Sequence, residues 1–140
     1  MDQANPSQRP ALEPGLEGEA RAVVTVEVTA PAVGSGTVSV YATPSMVALM
    51  EQAAVACVEK HLAPGEASLG VHLNVSHTAA TPPGQTVTAI ARLTAIDGRK
   101  LAFEIEARDA TERIGTARHT RIIVDTTRFA AKLAQKIPPS

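Results

Sequence analysis

A chain of 140 residues with 44% hydrophobic content and a mean hydropathy of +0.03 is long enough for one domain with a sizeable core and too short for two of ordinary size. Its charges nearly cancel, 13 Lys and Arg against 14 Asp and Glu, and no basic run occurs, which argues against nucleic acid or a membrane surface as partner. The single cysteine, Cys57, excludes an internal disulfide; with no apolar run near the roughly 18 residues of a membrane span and no signal-like start, the chain reads as cytoplasmic.

In chain order, residues 1–20 are polar and rich in Pro, Gly and Glu and read as a flexible leader that buries too little to repay its ordering entropy. Ala22–Thr29 alternates Val24, Val26 and Val28 against Thr25, Glu27 and Thr29, a first strand. Pro31–Gly36 reads as a loop and Val38–Ala42 as a short extended lead-in. Thr43-Pro44 then provides an N-cap and a first-turn proline for a helix running to Leu62 and stopped by Pro64-Gly65. Ser68–Ala80 is a second strand, with Leu69, Val71, Leu73, Val75 and His77 on one face and Gly70, His72, Asn74 and Ser76 on the other.

Thr81-Pro82-Pro83-Gly84 forces a turn into a third strand, Gln85–Ile96. Asp97-Gly98 reads as the hairpin turn into Leu101–Arg108. After a connection at Thr111-Glu112 comes Ile114–Val124, and Asp125 opens a short helix through Lys136. Only 2% of the residues are aromatic, so the core must be built from Val, Ile, Leu and Ala, whose small side chains let a sheet approach a helix closely. The order strand, long helix, four strands with short connections implies antiparallel neighbours, because parallel pairs need crossovers. The expectation is therefore an α+β domain of hot-dog type over residues 21–137, an antiparallel sheet wrapped around one nearly all-round apolar helix.

Within that helix one carboxylate, Glu51, stands among Val47, Met50, Ala54 and Val55. It is either a water-satisfied residue at the edge of the apolar face or a desolvated base or nucleophile. Thr43 reads as a helix cap whose hydroxyl, beside free N–H groups, can also face a substrate. His77 is the polar member of an apolar row, either a core-edge histidine or a proton carrier titrating near neutrality. Gly70, inside a regular strand, marks a bulge or a close approach. Arg121 is a solvated or ion-paired strand residue or an anion contact. The four histidines, His61, His72, His77 and His119, show no metal-ligand spacing, and no nucleotide, redox-cofactor or nucleophile-elbow motif occurs. No metal and no cofactor are expected.

Three strings carry a resemblance: Ala42-Thr43-Pro44-Ser45-Met46-Val47-Ala48-Leu49-Met50-Glu51, the turn Pro64–Gly70, and Val75-Ser76-His77-Thr78-Ala79-Ala80-Thr81-Pro82-Pro83-Gly84. Over about residues 18–137 the chain resembles the hot-dog thioesterases of the fluoroacetyl-CoA thioesterase-like family. The resemblance implies a catalytic set of Thr43, Glu51 and His77, substrate contacts from Gly70 and Arg121, an acyl-CoA substrate, and a homodimer with its sites at the subunit interface. The fluoroacyl-specific member carries a phenylalanine gate before the threonine. Here Gly34–Tyr41 has no phenylalanine, so a short- or medium-chain acyl-CoA is expected without fluoroacetyl specificity. The alternative is a non-catalytic protein that binds acyl-CoA or an acyl carrier on the same fold.

Overall fold

The computed structural model describes residues 11–139. Its strands are β1 (Glu17–Val23), β2 (Glu66–His77), β3 (Thr86–Asp97), β4 (Lys100–Arg108) and β5 (Arg113–Asp125); its helices are the single turn α1 (Ala30–Val33), the long α2 (Thr43–Val58) and α3 (Thr126–Ala134). All five strands form one antiparallel sheet in the order β1-β3-β4-β5-β2, which leaves β2 at an edge. The sheet curls around α2, the expected hot-dog architecture. No helix among the described residues is long and apolar enough to cross a membrane.

The four later strands fall within two residues of their expected bounds at most ends, because their alternation is regular. The N-terminal part differs. The first strand begins at Glu17, inside the stretch whose composition suggests a leader, and Val26–Val28, expected within that strand, forms a 3-10 turn. Residues 1–10 of that stretch lie outside the described residues. Gly18 explains what composition hid: a Cβ there would overlap the backbone of Cys57 and Ala53 on α2, so β1 can lie against the helix only where a side chain is missing.

The sheet covers one face of α2, burying Met46, Leu49, Met50, Ala53, Ala54, Cys57 and Val58. These pack on the inward rows Val87, Ala89, Ala91 and Leu93 of β3 and Leu101, Phe103, Ile105 and Ala107 of β4. The opposite face of the helix is not wrapped. Ala48, Gln52 and Ala56 are exposed, and Glu51 and Val55 are half-buried. The apolar composition thus reflects a helix with a second, small-residue face that this chain alone leaves open.

Candidate active site

The inward row of β5 reads Gly115, Ala117, His119, Arg121, Ile123, all buried. Two of these are polar, and each needs a partner there. Arg121, 6% exposed, is tied down by β2: its Nε donates to Ser68 Oγ at 2.8 Å and its Nη2 to the Ser68 carbonyl at 3.0 Å. Its Nη1 donates to Glu51 Oε2 at 3.2 Å and lies 3.1 Å from His119 Nε2. Arg121 is therefore ion-paired, and buried rather than solvated. Glu51 keeps 43% of its side chain exposed, on the open side of α2, so within one chain it is only partly desolvated.

Gly70 sits directly over this group. A Cβ there would lie 2.6 Å from Glu51 Oε2, 3.1 Å from His119 Cε1 and 3.3 Å from Arg121 Nη1. Strict alternation puts Gly70 on the opposite face of β2 from His77. The structure corrects this: the pairing with β5 jumps from Gly70↔Arg121 to His72↔Thr120, so Val71 is an extra, bulged residue. One extra residue reverses the parity of everything before it. Gly70 and His77 both face inward as a result.

At the other end of β2 a second pair forms. Thr43 Oγ1 lies 2.7 Å from His77 Nδ1. Thr43 is the first helical residue of α2, with Ala42 as the capping position and no side-chain cap bond, so its hydroxyl serves the histidine rather than the helix end. Tyr41 meets the His77 ring edge-on at a centroid separation of 6.5 Å. Burial pushes the His77 pKa below the usual imidazole range, which keeps the ring neutral near pH 7. Its Nε2 is buried without a hydrogen-bond partner among the described residues, an arrangement suited to a group that must exchange a proton with a ligand.

A groove of about 280 Å³ opens beside this pair, lined by Ala30, Ser35, Val40, Tyr41, Thr43 and His77 among others. A second hollow of about 460 Å³ runs over Ala48, Glu51, Gln52, Val55 and Arg121. A further depression of about 720 Å³ lies on the outer face of the sheet among Arg92, Glu104 and Arg118, away from both pairs. The five sequence candidates thus fall into two groups, Thr43 with His77 and Glu51 with Arg121 and Gly70. Eight residues of helix separate Thr43 from Glu51, about 12 Å along the axis. Sequence reasoning missed Ser68 and His119 as members of the second group. The signal for His119 and Arg121 was their place on the same alternate row as Ala117 and Ile123.

The family model for fluoroacetyl-CoA-specific thioesterase matches residues 24–127. The fluoroacetyl-CoA thioesterase of Streptantibioticus cattleyicolor is 46% identical over 99 residues, 71% of each chain. The solved structure of the fluoroacetyl-CoA thioesterase FlK superposes with a TM-score of 0.86 at 37% identity, over 92% of this chain and 100% of that one. A Thermus thermophilus hypothetical protein of the thioesterase superfamily gives a TM-score of 0.82 at 31% identity, over 91% and 93%. A match across most of the domain, at these identities and with the same curled sheet, is conclusive: the chain belongs to the fluoroacetyl-CoA-specific thioesterase family.

Proposed function

We propose that the protein hydrolyses a short- or medium-chain acyl-CoA to the free acid and CoA, at a site completed by a second copy of the chain. The observation that carries this reading is the division of the candidate residues. Thr43 and His77 are bonded to each other, Glu51 is bonded to Arg121, and about 12 Å of helix lies between Thr43 and Glu51. One thioester carbon cannot touch both within a chain. A two-fold axis joins them. Thr43 and Glu51 are equidistant from Val47 on α2. Antiparallel packing of two α2 helices about that point sets the partner's Glu51 beside Thr43. The exposed Leu69 and Val71 of β2 and the open Ala48, Gln52 and Ala56 face of α2 favour such a dimer, since both are surfaces a second copy would bury.

In that site the acyl carbonyl sits between the pairs. Glu51 attacks the carbonyl carbon and the carbon–sulfur bond breaks, giving a mixed anhydride and the thiolate. Neutral His77, held by Thr43, then takes a proton from the water that opens the anhydride and passes it to the thiolate; or Glu51 itself takes the proton of a water attacking the thioester and His77 relays it to the thiolate. Arg121 and the backbone at Gly70 contact the acyl group. The small residues of Gly34–Tyr41 and the adjoining groove leave room for chains longer than acetyl, which supports a general acyl range over fluoroacetyl specificity. The test is a panel of acyl-CoAs with free thiol as the readout. Release above the Glu51→Ala variant is expected for at least one chain length. Tight binding with no release would replace the enzyme with an acyl-CoA-binding protein. Entry of ¹⁸O from water into Glu51 in a single turnover distinguishes attack by the carboxylate from activation of water.

A further inference from the structure

We propose that His119 is a positioning residue for the Glu51–Arg121 pair: its neutral ring accepts one Nη1 hydrogen of Arg121 and so aims the other at the Glu51 carboxylate. The argument is a count of hydrogens. A backbone carbonyl only accepts, so the 2.8 Å contact between His119 Nδ1 and the His72 carbonyl requires the proton on Nδ1. In the neutral ring Nε2 is then bare, and it receives Nη1 of Arg121 at 3.1 Å. Burial, aided by the neighbouring Arg121 and opposed by the His72 carbonyl and Glu51, holds the His119 pKa below the usual imidazole value. Near neutral pH Nε2 stays an acceptor.

The guanidinium is planar, with five N–H directions in one fixed fork. Ser68 takes the Nε hydrogen and one Nη2 hydrogen, and His119 takes one Nη1 hydrogen. That leaves the second Nη1 hydrogen for Glu51 Oε2, 3.2 Å away. Among the contacts of the described residues one Nη2 hydrogen is left over, a donor for a ligand. The ring is itself held: Nδ1 by β2, and one face by Phe103 at a centroid distance of 6.0 Å. Its bare nitrogen meets the guanidinium bonded to Glu51, and Nε2 lies 3.9 Å from the carboxylate.

The inference rests on the reading that Glu51 acts on the thioester, and its test separates the two. ¹⁵N-histidine spectra of the full chain without substrate should show His119 with the proton on Nδ1 and a bare Nε2, the signal being assigned by its loss in His119→Gln. His119→Leu fills the space but removes both nitrogens; with the panel's best substrate its kcat should fall about tenfold or more while KM moves less than about threefold. His119→Gln keeps an acceptor for Arg121 and should recover most of kcat. A proton on Nε2, wild-type kcat in a folded His119→Leu, or equal losses in the Leu and Gln variants would overturn the proposal. Full activity in Glu51→Ala would instead remove the functional reading, leaving the tautomer measurement to judge the arrangement alone.

Discussion

Replacing Gly70 with alanine should damage activity while sparing the fold. Gly70 does not have a positive φ, so alanine meets no backbone strain there, and in a strand it gains roughly 0.5–1 kcal/mol over glycine from the unfolded-state entropy. Against that stands the new methyl group, 2.6 Å from Glu51 Oε2. The carboxylate is the far end of a flexible, half-exposed side chain and can swing away, so the loss of its ion pair removes no more than about 1 kcal/mol of stability. Net stability should change by less than about 1 kcal/mol. For catalysis the balance differs, because Glu51 then leaves its 3.2 Å bond to Arg121. A charge-assisted hydrogen bond is worth about 1.5–3 kcal/mol, equivalent to roughly 10- to 100-fold in kcat/KM if the alignment matters in the transition state. Gly18→Ala is the matched contrast: its Cβ would sit 2.5 Å from Cys57 Cα and overlap other backbone of α2, which cannot swing aside, so about 3 kcal/mol or more of stability should be lost. Urea unfolding and thiol release on both variants test the pair. Wild-type kcat/KM in Gly70→Ala, or comparable destabilisation by the two substitutions, would refute the reasoning.

Val71, 54% exposed on the bulge of the β2 edge, should tolerate aspartate in a monomer but not in the proposed dimer. Sedimentation should show wild type as a dimer and Val71→Asp as a monomer without thioesterase activity; a fully active monomer would refute the composite site. Burial pushes the phenol of Tyr41, the chain's sole tyrosine, up to about 12, so phenolate absorbance should stay flat through the ordinary tyrosine range near pH 10 while the fold persists. His77 and His119 both titrate below the usual 6.5 in the folded chain, so between those lowered values and 6.5 the unfolded chain binds more protons. Their contribution is complete above 6.5 and is lost as pH falls, so the urea midpoint should drop between about pH 7.5 and about pH 5. An unchanged midpoint would show that neither imidazole is held neutral.

Much of the fold was legible in local pattern. Strand alternation in β3, β4 and β5, the Asp97-Gly98 turn, the proline and glycine stops and the short connections were enough to order the strands antiparallel around one helix. Those signals act between residues close in the chain, where steric and hydrogen-bond preferences are visible in the sequence itself. β1 was misplaced because its character depends on α2: Gly18 looks like a loop residue until the helix backbone beside it is known. Gly70 signalled a bulge or a close approach, and both occur there, but the extra residue's place at Val71 could not be read for a similar reason. Its parity shift is defined only by pairing with β5, yet it decides which way Gly70 faces.

Thr43, Glu51 and His77 could be singled out from their surroundings, because a polar group in an apolar row is an anomaly that sequence displays. Their partners could not. Thr43 was read as a cap, but the structure gives its hydroxyl to His77, and Arg121 proved to be a buried residue bonded to Ser68, His119 and Glu51. Sequence by itself therefore determined the long helix, the four later strands with their antiparallel connections, and the residue types available for chemistry. Tertiary structure alone decided which of those residues touch, that they form two groups rather than one, and that His119 belongs among them. Hydrogen bonds and close approaches of a few ångströms join positions far apart in the chain, and no local propensity records them.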